Sequence, residues 1–164
     1  MPQTAVQQFL FFLDDAFENG RSHALLINLA SVTEDDYARE HEGRSIHEMV
    51  RHVAAAKHVY ENQAFGDASL FMPHFQERIY ESKAGLAEDI EWLKRGQQRL
   101  RGSVAALDDG DLLTPRRVHN GNLYETRNII ATMVEHDLYH AGEINHLRAL
   151  LQENDFWRGR EPQK

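Results

Sequence analysis

The chain has 164 residues, of which 41% are hydrophobic and 27% are charged, and its formal net charge at pH 7 is −8. This length favours one domain, residues 1–164, with enough side chains for a hydrophobic core. The acidic balance argues against nucleic-acid binding, which needs a concentrated basic surface. Because the sequence has no cysteine, disulfides and thiolate metal ligands are excluded.

The sequence shows no targeting or membrane signal. Asp14, Asp15 and Glu18 lie where a signal peptide would have its apolar core. No uninterrupted apolar run approaches the roughly 18 residues that a membrane helix requires. We therefore expect a soluble cytoplasmic protein that does not associate with membranes.

The spacing of apolar residues predicts an all-α fold with essentially no sheet. A first helix is expected over residues 4–30, with a break or bend at Gly20. The next segment is acidic and is expected to be irregular. A second helix begins after Ser45, because Ser45 and Glu48 have the spacing of a capping box, and it continues to about Phe65.

Two further helices complete this prediction. The third runs over residues 73–107 and the fourth over residues 124–153, after a long connection that contains Asn120 and Gly121. This Asn-Gly pair precedes a helical pattern, so we do not expect it to turn a β-hairpin. Four amphipathic helices of this length indicate a four-helix bundle with any site in its core. The polar tail after about residue 154 is expected to fray.

His136 and His140 lie four residues apart in the fourth helix and share one of its faces. With His136 at zero and about 100° per residue, His140 lies at about 40°, while the apolar Ile129 and Met133 lie at about 20° and 60°. Both imidazoles therefore fall in the apolar stripe, where a polar group needs a partner. Two histidines one turn apart on such a stripe indicate a metal site that takes a third ligand from elsewhere.

The same helical geometry selects His52 as the third ligand. His52 lies at the edge of the buried stripe of the second helix, whereas His47 and His58 lie about 140° and 120° away from it, on the polar side. The string from His47 to His52 is one residue too long for the His-Glu-x-x-His zinc protease motif. We therefore expect His52, His136 and His140 to bind a divalent metal. The remaining histidines are assigned to the surface or to loops: His23, His41, His74, His119 and His146.

Glu143 lies three residues after His140, at about −20° on the face of the two histidines. Its carboxylate can bind the metal, orient a histidine ring, or act as a base on bound water, and solvent exposure is the structural alternative. Glu143 and His146 also fit one Glu-x-x-His element of a di-iron bundle. Such a site needs two of these elements, and the sequence has no second copy.

The two histidine-bearing segments resemble those of the DinB/YfiT-like superfamily of metalloenzymes. Residues 45–54, Ser-Ile-His-Glu-Met-Val-Arg-His-Val-Ala, look like the second-helix pattern, in which the histidine before the small apolar residues is a ligand. Residues 136–144, His-Asp-Leu-Tyr-His-Ala-Gly-Glu-Ile, look like the fourth-helix pattern His-x-x-x-His-x-Gly-Gln-Ile. Glu143 replaces the glutamine of that pattern. Spacing, order and helix count agree over nearly the whole chain.

The resemblance implies a three-histidine site for a divalent metal and a homodimer. Relatives act as thiol S-transferases or mycothiol-dependent isomerases, and the family name does not imply DNA binding. We expect His52, His136 and His140 to hold Zn²⁺, Ni²⁺, Mn²⁺ or Fe²⁺ in an enzyme that transfers a low-molecular-weight thiol to a small electrophile, with hydrolysis as the next reaction type.

The alternative is a non-catalytic stress-response bundle that binds a metal or a small ligand. An open coordination position beside a pocket favours the enzyme. A fourth protein ligand such as Glu143 favours the binding protein.

Overall fold

The computed structural model describes residues 4–20 and 22–154, and most of them are helical. The α-helices are α1 (Ala5–Asp14), α2 (Leu25–Leu29), α3 (Glu34–Ala38), α4 (Ile46–Phe65), α5 (Gln76–Tyr80), α6 (Leu86–Ala105) and α7 (Thr126–Gln152). A π-helix, Asp15–Asn19, extends α1, and 3₁₀ turns cover Met72–Phe75 and Asp109–Leu113. Strands β1 (Glu40–His41) and β2 (Arg44–Ser45) form one antiparallel hairpin, and β3 (Pro115–Arg117) and β4 (Leu123–Glu125) form another. The predicted all-α class is confirmed.

The long helices pack around a shared core. α4 packs against both α6 and α7, and α1 contacts the same two helices. Two buried clusters fill the space between them, one around Val50, Leu93 and Ile144 and the other around Leu100 and Met133. The short helices α2, α3 and α5 also pack on α4 or α7. The four-helix bundle architecture therefore stays a prediction.

The start of α4 is as predicted. The backbone of Ser45 is extended, and its Oγ accepts a hydrogen bond from the backbone N–H of Glu48 at 3.4 Å. This bond satisfies one of the donors that have no partner within the first turn of a helix. The first helix breaks where Gly20 adopts an extended backbone, and the chain resumes helical structure only at Leu25.

The predicted third helix, residues 73–107, is wrong as one continuous element. It is interrupted between α5 and α6, where the guanidinium of Arg51 donates to the carbonyl groups of Ile79 at 3.3 Å and Ala84 at 2.8 Å. Arg51 also donates to Asp89 at 2.6 Å. A continuous helix would use such carbonyl groups for its own N–H donors. The buried arginine therefore stabilises the break, and its partners are too distant in sequence to be predicted.

The prediction that Asn120 and Gly121 do not turn a hairpin is also wrong. The N–H of Gly121 donates to the carbonyl of Val118 at 2.8 Å, and its φ is +84°, a conformation that favours glycine. The flanking strands have three residues each, too few for an alternating pattern to be visible. The segment 32–44, predicted to be irregular, contains α3 and β1.

Two further predictions concern the limits of the chain. The predicted fraying after about residue 154 lies outside the described residues, and the assignment of residues 1–164 to one domain stays a prediction. Within residues 4–20 and 22–154, no helix has both the length and the apolar character needed to cross a membrane.

Candidate metal centre

The structure brings His52 of α4 together with His136 and His140 of α7. One nitrogen from each ring can be chosen so that all three lie within 4.8 Å of one another. The Nε2 atoms of His52 and His136 are 3.3 Å apart, and the ring centroids of His136 and His140 are 4.4 Å apart. All three rings are partly buried. The predicted histidines therefore form one cluster that is compatible with metal binding.

The spacing of the nitrogens fits a metal site. Two nitrogens that are both 2.0–2.1 Å from one ion at the tetrahedral angle lie about 3.3–3.4 Å apart. The separation between His52 Nε2 and His136 Nε2 agrees with this value, and one ring nitrogen of His140 lies within 4.8 Å of a nitrogen of each of the other two rings. The donor set, three imidazoles without thiolate, suits Zn²⁺, Ni²⁺ and Fe²⁺.

Small residues allow the helices around the cluster to approach closely. Ala54, Ala55 and Ala56 follow His52 on α4, and Ala141 follows His140 on α7. All four alanines are buried. Because their side chains end at Cβ, neighbouring helices can pack closely here, and the longer histidine side chains reach one another across the α4–α7 contact.

Burial keeps the three imidazoles in the neutral form that binds metals. Desolvation, together with the charges of His140, His52 and Lys57, lowers the pKa of His136 to about 3. Burial also lowers the pKa of His52 and of His140, while the Glu143 carboxylate opposes both shifts. Neutral histidine offers a lone pair to a cation, so little proton competition is expected at pH 7.

Glu143 lies beside the cluster rather than within it. Its Oε2 atom is 2.8 Å from Nδ1 of His140, but the alignment is not that of a hydrogen bond. Its Oε1 atom accepts hydrogen bonds from Arg44 at 3.0 Å and from the hydroxyl of Tyr139 at 3.2 Å. The carboxylate is not part of the converging ligand group. It is close enough to orient His140 or to take up a proton next to the site.

Neither His47 nor His58 joins the cluster, but the prediction that they lie on a polar outer side is wrong. Nδ1 of His47 lies 3.2 Å from the carbonyl oxygen of Tyr37. The ring of His58 stacks against both Phe75 and Trp92, with centroid distances of 6.2 and 5.8 Å, and these two rings also contact each other. α4 has helices on several sides, so the side opposite α7 is also covered.

Several residues near the centre were not identified from the sequence. Arg44 and Tyr139 hold the carboxylate of Glu143, and a fully buried ion pair joins Lys57 to Asp137 with an Nζ to Oδ2 distance of 2.6 Å. Two signals were visible in the sequence: the charged Lys57 directly follows three alanines, and the charged Asp137 directly follows His136. Their pairing across 80 residues was not visible, because it depends on how α4 packs on α7.

Cavities lie on both sides of the cluster along the α4–α7 contact. One, of about 250 Å³, is lined by residues that include Arg44, Met49 and Glu143. The other, of about 220 Å³, lies under the β3–β4 hairpin and is lined by residues that include Tyr60 and Thr132. Met49 lies one turn from His52, and Thr132 lies one turn from His136, so both cavities are close to the histidines.

Comparison with known proteins identifies the family. The DinB superfamily model matches residues 16–144, a range that contains α4 and the three histidines of the cluster. No curated protein matches the chain. Because the match covers well over half of the sequence and the histidine cluster lies within it, the chain belongs to the DinB superfamily.

Proposed function

We propose that this protein is a divalent-metal-dependent enzyme in which His52, His136 and His140 hold the metal. The observation that carries the proposal is the convergence of three ring nitrogens within 4.8 Å, two of them at the spacing of tetrahedral ligands. Three protein ligands leave a coordination position for water or substrate, which is typical of catalytic rather than structural sites. Zn²⁺, Ni²⁺, Mn²⁺ and Fe²⁺ are the candidate ions.

The position of Glu143 supports an enzyme over a non-catalytic binding protein. Its two oxygens are directed at Arg44, Tyr139 and the ring of His140, so it does not act as a fourth ligand in this arrangement. The cavity of about 250 Å³ adjoins this carboxylate. A cavity lined by a carboxylate that also lies beside the histidine cluster is what a reaction with a small substrate requires.

The reaction that we propose is transfer of a low-molecular-weight thiol to a small electrophile. The resemblance to thiol S-transferases supports this choice, and hydrolysis is the second reaction type. A bound divalent ion supplies Lewis acidity, which favours the deprotonated form of a thiol or of water near neutral pH. The sulfur then forms a bond to the electrophilic carbon, and the leaving group departs with its electron pair. Glu143 is the proposed acceptor of the thiol proton.

Metal analysis followed by an activity screen tests this proposal. The chain is purified without an affinity tag, its metal content is measured by mass spectrometry, and small thiols are tested with a chromogenic electrophile. We expect about one metal ion per chain and a thiol transfer that a chelator abolishes. Absence of metal after incubation with all four ions contradicts the metal site. Stoichiometric metal without thiol transfer or hydrolysis favours the non-catalytic stress-response protein.

We further propose a cytoplasmic homodimer that does not bind nucleic acid. Large apolar side chains are exposed on two long helices, with Phe11 and Phe12 on α1 and Leu138 and Tyr139 on α7. Their exposure supports an interface between copies. The net charge of −8 opposes binding to phosphate backbones. Sedimentation as a monomer at micromolar concentration contradicts the dimer, and salt-sensitive DNA binding contradicts the second expectation.

A further inference from the structure

A buried polar network connects the four long helices next to the histidine cluster. The ammonium group of Lys57 on α4 donates to Asp137 Oδ2 on α7 at 2.6 Å and to Gln97 Oε1 on α6 at 2.8 Å. The amide nitrogen of Gln97 donates to the carbonyl of Leu13 on α1 at 3.2 Å. The side chain of Lys57 has no solvent exposure, and that of Asp137 is 1% exposed.

The network lies close to the proposed metal ligands along both helices. Lys57 follows His52 by five residues on α4, a rise of about 7.5 Å, and Asp137 directly follows His136 on α7. The charge of Lys57 is near enough to contribute to the lowered pKa of His136. The ion pair therefore joins the same two helices that provide the three histidines.

This ion pair is closed off from solvent and tightly packed. A Cβ atom added to Gly96 of α6 would lie 3.0 Å from Cβ of Lys57, so α6 lies directly against this part of α4. The ammonium group also lies 5.1 Å from the centre of the Phe17 ring. Water cannot easily replace either partner here, and each charge depends on the other.

Stability alone is a weak explanation for such a pair. The cost of removing two charges from water commonly matches or exceeds their attraction, and apolar residues of similar size are often at least as stabilising. A directional contact can instead select one relative position of two helices. Between His52 and Lys57, α4 presents three alanines, whose small side chains interlock little with a neighbouring helix. The ion pair supplies the directional contact that the alanines lack.

We propose that Lys57, Asp137 and Gln97 are positioning residues that fix the register between α4 and α7 and thereby the distance from His52 to His136 and His140. This inference rests on the proposed metal function, because the register matters only if these histidines bind one ion. Without the network, α4 and α7 can shift along each other and the three nitrogens diverge. The helices then remain folded while the ligand geometry is lost.

The test removes the charges while keeping the volume of the side chains. The double variant Lys57→Met/Asp137→Leu is compared with the unmodified chain by circular dichroism and by titration with Co²⁺, whose visible absorption depends on coordination geometry. We expect the helical content to be retained, Co²⁺ affinity to fall about 10–100-fold, and the absorption bands to change. The single variant Asp137→Asn keeps an acceptor for Lys57 but removes its counter-charge, so the Co²⁺ affinity should fall by less than in the double variant, with a loss of stability.

A second ion pair of α4 provides the matched control. Glu61 of α4 pairs with Arg99 of α6 at 2.7 Å, so this pair joins α4 to a helix that carries none of the three histidines. The double variant Glu61→Gln/Arg99→Gln should leave the Co²⁺ affinity and spectrum unchanged. Loss of Co²⁺ binding in this control as large as in the Lys57 and Asp137 variant would show that general loosening, not register, is responsible.

The remaining outcomes separate this inference from the proposed function. If the unmodified chain binds no Co²⁺, both proposals fail. If it binds Co²⁺ and the folded Lys57→Met/Asp137→Leu variant has the same affinity and spectrum, only the positioning role is wrong. Should that variant not fold, Lys57→Met/Asp137→Asn retains one polar group for Gln97 and is judged by the same two measurements.

Discussion

His52 and His58 lie on the same helix, both are partly buried, and burial lowers the pKa of both imidazoles. Their neighbours nevertheless differ in kind. The indole of Trp92 stacks on one face of the His58 ring at an interplanar angle of 15°. The ring of His52 is inclined at 41° to His136, and their Nε2 atoms are 3.3 Å apart. Burial and a lowered pKa therefore do not distinguish a ligand from a packed ring, whereas converging nitrogens do.

Helical phase explains why the two histidines meet different partners. Six residues separate them, which places their side chains about 120° apart around α4. His52 therefore faces α7 and its two histidines, whereas His58 faces the aromatic side chains of Trp92 on α6 and Phe75 in the adjacent 3₁₀ turn. The same residue type lies in a histidine cluster on one side of the helix and among aromatic rings on the other.

The largest expected difference is in metal affinity, when alanine replaces a histidine of the cluster or the stacked His58. His136→Ala removes one of the three proposed ligands, and because loss of an outer-shell partner alone usually costs 10–100-fold, we expect more than about 100-fold weaker binding. His58→Ala should change the affinity by less than about threefold, because its ring contacts no ligand. Competition with a chromophoric chelator measures both. A comparable loss in the His58 variant would contradict the distinction between stacked and converging rings.

The sequence was sufficient to show which histidines share a helix face, but not what covers the other faces of the helix. His136 and His140 share a face of α7 by spacing alone, and His52 follows from the phase of α4 once a third ligand is required. The partners of His58 could not be predicted in this way, because Phe75 and Trp92 belong to other elements.

The same limit explains the errors in the fold. The break between α5 and α6 depends on the buried Arg51 of α4, and the β3–β4 turn at Gly121 joins strands too short to show a pattern. In each case the deciding contact is made between elements, so no window of local sequence contains it.

The second prediction concerns the free energy of unfolding, which the buried His58 should make lower in acid. Burial lowers the pKa of His58, with Arg99 adding to the shift and Glu61 opposing it. Below about pH 6.5 the unfolded chain takes up a proton on this ring while the folded chain does not, so stability falls with pH until the folded pKa is reached. His58→Phe keeps an aromatic ring in the stack and lacks this proton.

The loss of unfolding free energy between pH 7 and pH 5 should therefore be smaller in the His58→Phe variant. The largest possible difference between the two chains in this loss is about 2 kcal/mol. Partial exposure of His58 reduces the expected difference to about 1 kcal/mol. Urea denaturation of the metal-free protein at both pH values measures it, and the remaining histidines contribute equally to both chains. An identical pH dependence in the two chains would show that His58 is protonated in the folded state as readily as in the unfolded one.

A smaller loss of metal affinity than in His136→Ala is expected at Glu143, which lies beside a converging ring without belonging to the proposed ligand group. Glu143→Gln keeps the shape of the side chain and its acceptor for Arg44 and Tyr139, so metal affinity should fall by less than about tenfold. Thiol transfer should fall much more if the carboxylate accepts a proton, because an amide cannot. Tyr139→Phe is the matched control, since it removes one hydrogen bond to Glu143 and leaves the charge in place. If Glu143→Gln lost the metal altogether, the carboxylate would be a ligand and the free coordination position would be gone. If both variants kept full activity, Glu143 would be a bystander, and the converging histidines alone would account for the chemistry.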